Sequence, residues 1–133
     1  LIGVDLKKDK AILDAAYNDT GGITAEFNLN LLARVNRELG ADFNLEGWRH
    51  MAFYDESKGR IEMHLVSQHT QRVTINGTSF DFRKDETIHT ENSYKYGIDE
   101  FQLLAQRAGF AAEAVWTDGE KLFSMHLLKH SQP

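Results

Sequence analysis

Between Thr87 and Tyr96 the chain reads Thr-Ile-His-Thr-Glu-Asn-Ser-Tyr-Lys-Tyr, polar at nearly every position where the neighbouring pattern calls for a strand. In an extended chain side chains alternate, so His89, Glu91 and Ser93 are expected on one face and Thr90, Asn92 and Tyr94 on the other. A carboxylate, a hydroxyl and an amide aimed at one ligand suit a pocket wall. An edge strand with one wet face accounts for the same residues. Pattern alone leaves both readings open.

Six histidines raise the question of a metal. His126 and His130 are four apart, but on a predicted strand and without the His-Glu-x-x-His arrangement. His64 and His89 are expected to approach each other in a sheet, with no third ligand in view. Hydrogen-bonded or surface histidines are therefore the expectation, and no metal is assigned. The chain holds no Gly-x-Ser-x-Gly, no Walker loop and no dinucleotide fingerprint. Gly21-Gly22 reads as a turn between helices rather than a phosphate loop.

The elements that must position these residues follow from periodicity. Leu1 to Leu6 is a short apolar run of the kind found in buried parallel strands. Asp9 is suited to cap a helix from about Lys10 to Asn18. Thr24 reads as the cap of a second helix, with Phe27, Leu31, Val35 and Leu39 at helical spacing and Gly40 as its stop. The middle turns to strands. Met51 to Tyr54 leads into a turn, and Arg60 to Ser67 alternates, with Ile61, Met63 and Leu65 on one face and Glu62 and His64 on the other. Val73 and Ile75 run into Asn76-Gly77, a strong hairpin signal, and Phe80 and Phe82 return. This stretch is expected to form one small antiparallel sheet. Asp99 is expected to cap a third helix ended by Gly109, followed by strands from Phe110 to Thr117 and from Phe123 to Leu128. The pattern is α/β, or α+β within this stretch, with the middle inserted into one layered unit.

The chain has 133 residues, no cysteine and a net charge of -5, with 41% hydrophobic and 26% charged residues. That is an ordinary soluble composition with room for a core. The acidic balance speaks against nucleic acid as a partner, and no apolar run reaches the roughly 18 residues of a membrane span. Absent cysteine leaves neither a disulfide framework nor a thiolate zinc site; a cytoplasmic setting is the expectation. The chain opens on an apolar strand with Leu1 rather than Met, which suggests a portion of a longer protein.

The segment Thr90-Glu91-Asn92-Ser93-Tyr94-Lys95-Tyr96 resembles a motif of the histidine-specific methyltransferases, whose best-known members trimethylate the α-amino group of histidine in ergothioneine biosynthesis. Gly3 to Asp9, Ala15 to Asp19, Gly22 to Asn28, Ile61 to Leu65 and Ala108-Gly109-Phe110 extend the likeness in order along nearly the whole chain. The resemblance implies a class I, Rossmann-like methyltransferase with an inserted antiparallel-sheet substrate domain. Residues 1–8 would be a core strand, 9–96 the substrate-binding insertion, and 97–133 the last helix and terminal hairpin. The S-adenosyl-L-methionine site would lie in a preceding part, leaving this stretch inactive alone. Carried over by position, Tyr17 would hold the amino-acid end of the substrate, Thr24 would contribute to the pocket, Glu91 and Ser93 would hydrogen-bond the imidazole, and Met63 would pack near the ring. His89 departs from the arginine frequent in relatives. Some relatives methylate other amino acids, tryptophan derivatives included.

These residue types suit that chemistry. Methyl transfer from a sulfonium to an amine needs a neutral amine, in-line alignment and exclusion of water. An ionised carboxylate accepts an imidazole N–H and a hydroxyl pairs nearby, so buried polar groups reject ligands that leave them unpaired. Plainer readings stand beside each assignment. Met63 suits ordinary core, Tyr17 a helix face with a satisfied hydroxyl, Thr24 a helix cap and nothing more, and Glu91 a surface carboxylate.

Overall fold

A computed structural model of the chain describes residues 1–131, so the last two positions of the expected terminal segment lie outside it. The elements run β1 (Ile2–Asp5), α1 (Lys10–Tyr17), α2 (Ile23–Leu39), β2 (Trp48–Asp55), β3 (Arg60–Ser67), β4 (Gln71–Ile75), β5 (Thr78–Phe82), β6 (Thr87–Tyr94), α3 (Ile98–Arg107), β7 (Phe110–Thr117) and β8 (Phe123–His130). The fold is mixed α and β with antiparallel sheets. One sheet has the order β1-β8-β7, a second β2-β3-β6, and β4-β5 form a separate ribbon. The single antiparallel sheet expected of the middle is therefore two. The Asn76-Gly77 turn behaves as its sequence demands, both residues taking positive φ.

The central strand β3 is buried from Ile61 to Ser67. Along one face of it the core divides into two clusters. Ile61 and Met63 pack with Leu13 of α1 and with Ala52 and Tyr54 of β2, and Tyr17 leans on that cluster. Leu65 joins Leu32, Phe43, Trp48 and Val73 in a second cluster under α2. Each such aliphatic side chain contributes about 1.5–3 kcal/mol by leaving water.

Several local expectations are corrected. Thr24 is not the cap of α2: Gly22 holds that place in the left-handed region, and the Asp19 carboxylate accepts from the backbone N–H of Ile23 and of Thr24, both at 3.0 Å. Asp99 lies inside α3, which starts after Gly97; the Gly97 N–H donates to Glu100. The stripe Phe27, Leu31, Leu39 is not the core face of α2, since Phe27 is 65% exposed and Asn28 and Leu32 are buried instead. The helix turns on its axis to bring an amide inward, because Asn28 finds partners in the sheet. The partner of β1 in its sheet is β8, antiparallel, with Val4 buried and Leu1 and Ile2 exposed.

The two main sheets meet where the chain leaves one and returns to it. Leu6, just after β1, makes a parallel bridge with Tyr96, just after β6. The Lys7 N–H donates to the Tyr96 carbonyl at 3.1 Å and the Tyr96 N–H to the Asp5 carbonyl at 3.3 Å. Among the described residues no helix is long and apolar enough to cross a membrane.

Candidate functional site

Strand β6 is an outer strand of its sheet, and its polar residues face two ways. Ser93 pairs with Ile61 and Glu91 with Met63, after which the register slips and His89 pairs with His64. Thr90 is the extra residue, and its hydroxyl donates to the Met63 carbonyl at 3.0 Å. A bulge of one residue reverses the side-chain phase. His89 therefore leaves the face of Glu91 and Ser93, against the expectation from simple alternation. It stacks instead on His64, ring centroids 4.5 Å apart, which stacks in turn on Phe53.

That second face is a charged row. Glu62 and the two histidines bring three ligand-type atoms within 4.8 Å of one another, so a third group does stand beside His64 and His89. The Glu62 carboxylate is already taken by Lys58 at 2.8 Å and by Arg60 at 2.6 Å. These two cations hold its carboxyl far below the ordinary range, at about 2. Nearly parallel stacked rings also send their lone pairs in parallel rather than toward one point. The cluster is an ion-pair network in form, and its geometry does not resemble a zinc cage.

On the helix-covered face the site is built around an amine absent from the sequence expectations. Lys95, one alternation beyond Ser93, is 2% exposed. Its ammonium donates to the Tyr17 hydroxyl at 2.8 Å and to Ser93 Oγ at 2.9 Å, and it pairs with the Asp5 carboxylate at 2.9 Å. The Tyr17 hydroxyl in turn donates to Ser93 Oγ at 2.8 Å. The end of α1 and the end of β6 are thereby tied to the end of β1. Burial alone would raise the Asp5 carboxyl, but hydrogen bonds from Lys8 and Lys95 outweigh it and hold the group below its usual value.

A second chain of hydrogen bonds fixes Tyr17 from behind. Its carbonyl oxygen lies 2.8 Å from His50 Nε2, and His50 Nδ1 lies 3.0 Å from the Asn28 amide nitrogen. The tautomer that satisfies both has its proton on Nε2. Asn28 also donates to the His64 carbonyl at 3.1 Å. Asn28, on the far side of this relay, lines a cleft of about 150 Å³ with Phe27, Leu31, Arg34, Thr90 and Glu91.

The structure thus brings Tyr17 and Ser93 into contact, sets buried Met63 beside Glu91 across the ladder, and opens Glu91 to the cleft between β6 and α2. Thr24 stands one turn before Asn28, and the hydrogen bond of its backbone N–H is with Asp19, whose carboxyl it helps to lower. Sequence reasoning missed Lys95, His50 and Asn28. For Lys95 a signal was present: the two-residue period puts a lysine on the inward face with Ser93. Nothing local marks His50 or Asn28.

Comparison with known proteins gives a match over residues 1–130 to the family model described as histidine-specific methyltransferase, SAM-dependent. A histidine N-alpha-methyltransferase of Mycobacterium tuberculosis is 40% identical over 129 residues, 96% of this chain. One of Mycolicibacterium smegmatis is 39% identical over 129 residues, again 96% of this chain. Ergothioneine biosynthesis protein 1 of Neurospora crassa is 36% identical over 135 residues, 99% of this chain. The chain spans 40% of the length of each mycobacterial protein and 15% of the fungal one.

Proposed function

The chain belongs to the histidine-specific, S-adenosylmethionine-dependent methyltransferase family, and from that premise we propose that it forms the substrate-holding part of an N-methyltransferase acting on the α-amino group of histidine. The observation that carries this reading is the direct contact of Tyr17 with Ser93 across 76 positions of sequence, at 2.8 Å, with Glu91 two positions away on the same face. Glu91 accepts the imidazole N–H, Ser93 pairs with the ring, Tyr17 closes the side toward the amino-acid end, and Met63 supplies apolar contact between them. Thr24 shapes the opening of α2 beside this pocket. Such a site selects by pairing polar groups, which an aliphatic or plain aromatic side chain leaves unpaired.

We further infer that residues 9–96 are an insertion between two parts of a Rossmann-like core. The adjacent exit and return at Leu6 and Tyr96 support it. So do exposed apolar side chains on the first sheet and α3, among them Leu103, Leu104, Val115 and Trp116, which suit cover by further core elements. S-adenosylmethionine would supply the methyl group when bound to the complete protein. Gly21-Gly22 joins helix to helix, not strand to helix, and does not fit a glycine loop for it.

The test uses the complete protein. Glu91→Ala is expected to weaken histidine binding at least tenfold in calorimetry while leaving S-adenosylhomocysteine binding unchanged. Equal histidine affinity in both forms removes Glu91 from the pocket. A panel of amino acids assayed for methyl acceptance checks the substrate, and preferential methylation of any other amino acid overturns histidine.

A further inference from the structure

The ammonium of Lys95 carries three hydrogens, and Tyr17, Ser93 and Asp5 take all three. With none left for a ligand, whatever Lys95 does for recognition it does through these neighbours. Its effect on Ser93 follows from counting lone pairs. A hydroxyl oxygen accepts two hydrogen bonds, and Ser93 Oγ receives one from Tyr17 at 2.8 Å and one from Lys95 at 2.9 Å. Its acceptor capacity is then full, and its own proton is the one hydrogen of the cluster without a partner inside it. That proton is left for a partner outside the cluster, on the strand face that Ser93 shares with Glu91. An ionised Glu91 only accepts. The two ligand-facing positions of β6 therefore have fixed and opposite polarity.

Resting on the reading of this pocket as a histidine site, we propose that Lys95 is a positioning residue that makes Ser93 an obligate hydrogen-bond donor, so that the pocket selects a ring bearing one N–H and one free nitrogen lone pair. A neutral imidazole meets both positions. A pyrrole or an indole carries the N–H but brings nothing for Ser93 to donate to. An imidazolium presents a second N–H to a position that is itself a donor. Asp5 serves the same device from the other sheet, because its carboxylate, held also by Lys8, fixes where the ammonium sits.

The experiment compares L-histidine with the two pyrrolylalanine isomers, whose rings carry an N–H and no acceptor, by calorimetry on the complete protein. Wild type is expected to prefer histidine by roughly a hundredfold or more, as sites built to hydrogen-bond their ligand do. Lys95→Met frees a lone pair on Ser93, and the preference is expected to drop at least tenfold. In a Ser93→Ala background the same change is expected to leave the ratio unaltered within about twofold, since coupled residues are not additive. Tyr17→Phe keeps the Lys95–Asp5 pair, opens the other lone pair on Ser93, and is expected to lower the ratio as well; it decides the matter should Lys95→Met fail to fold. S-adenosylhomocysteine binding and melting curves report folding. A purely structural lysine would weaken both ligands by one factor, or its effect would multiply with that of Ser93→Ala, and either result overturns the proposal, as does an unchanged ratio in Tyr17→Phe. Wild type that binds no histidine at all overturns the pocket itself, a separate and visible failure.

Discussion

Ser93 illustrates how little a residue's type says before its partners are known. As a serine on a polar strand it suits a wet surface; with a tyrosine and a lysine on its oxygen it becomes a directed donor. Ser93→Ala is expected to reduce histidine affinity of the complete protein by about ten- to a hundredfold, the scale of one lost hydrogen bond with its partner left unpaired, measured by calorimetry. His126 makes a different point. It is fully buried, 3.0 Å from the Ser124 hydroxyl, and desolvation lowers its pKa below the ordinary 6.5. A depressed value means that the folded state prefers the neutral ring. Its contribution to stability is present above pH 6.5 and is lost as pH falls through the folded value. Melting temperature is expected to fall between pH 7 and pH 5, and His126→Gln to flatten part of that fall in a calorimetric pH series.

Helix α2 and strand β6 set the site, and each departs from its simplest pattern for a local reason. In α2 the Asp19 carboxylate caps from outside the helix, accepting from Ile23 and Thr24. Asp19→Ala is expected to lower the midpoint of chemical denaturation, as loss of a helix cap does. The helix is then oriented by buried Asn28 and Leu32 rather than by its most apolar stripe. In β6 the Thr90 bulge sends His89 to the charged face and leaves Glu91 and Ser93 on the helix-covered one. Periodicity sees neither event, since a bulge inserts one residue without changing the composition around it. At the Asn76-Gly77 turn, by contrast, the local chemistry is sufficient. Gly77 has φ 79°, and Gly77→Ala is expected to cost about 1 kcal/mol from backbone strain alone.

At the scale of the molecule an ion pair between Lys95 and Asp5 joins the two sheets. Lys95 is enclosed and Asp5 part-exposed. Removing Asp5 is expected to cost about 2–4 kcal/mol, because it leaves the enclosed ammonium without a counter-charge; removing Lys95 is expected to cost less, since Asp5 is part-exposed and keeps Lys8. The double change Asp5→Asn with Lys95→Met is expected to cost less than the sum, which a double-mutant cycle by denaturation measures. The carboxyl of Asp5 is held below its ordinary 3.8, so the pair stabilises above that pH, and the stability is lost as pH drops through the lowered folded value. The sequence by itself determined most elements, the hairpin turn, the Asp9 cap, the alternating face of Ile61, Met63 and Leu65, and, through resemblance, the family and the candidates Tyr17, Glu91 and Ser93. These depend on local periodicity and on short motifs, which are written along the chain. Only the tertiary structure decided that Lys95 joins Tyr17 and Ser93, that His50 and Asn28 brace Tyr17, that His89 faces away, and that α2 turns Asn28 inward. Each is a contact between residues far apart in sequence or a phase set by a neighbouring strand, and hydrogen bonds of that range leave no local trace in the order of residues.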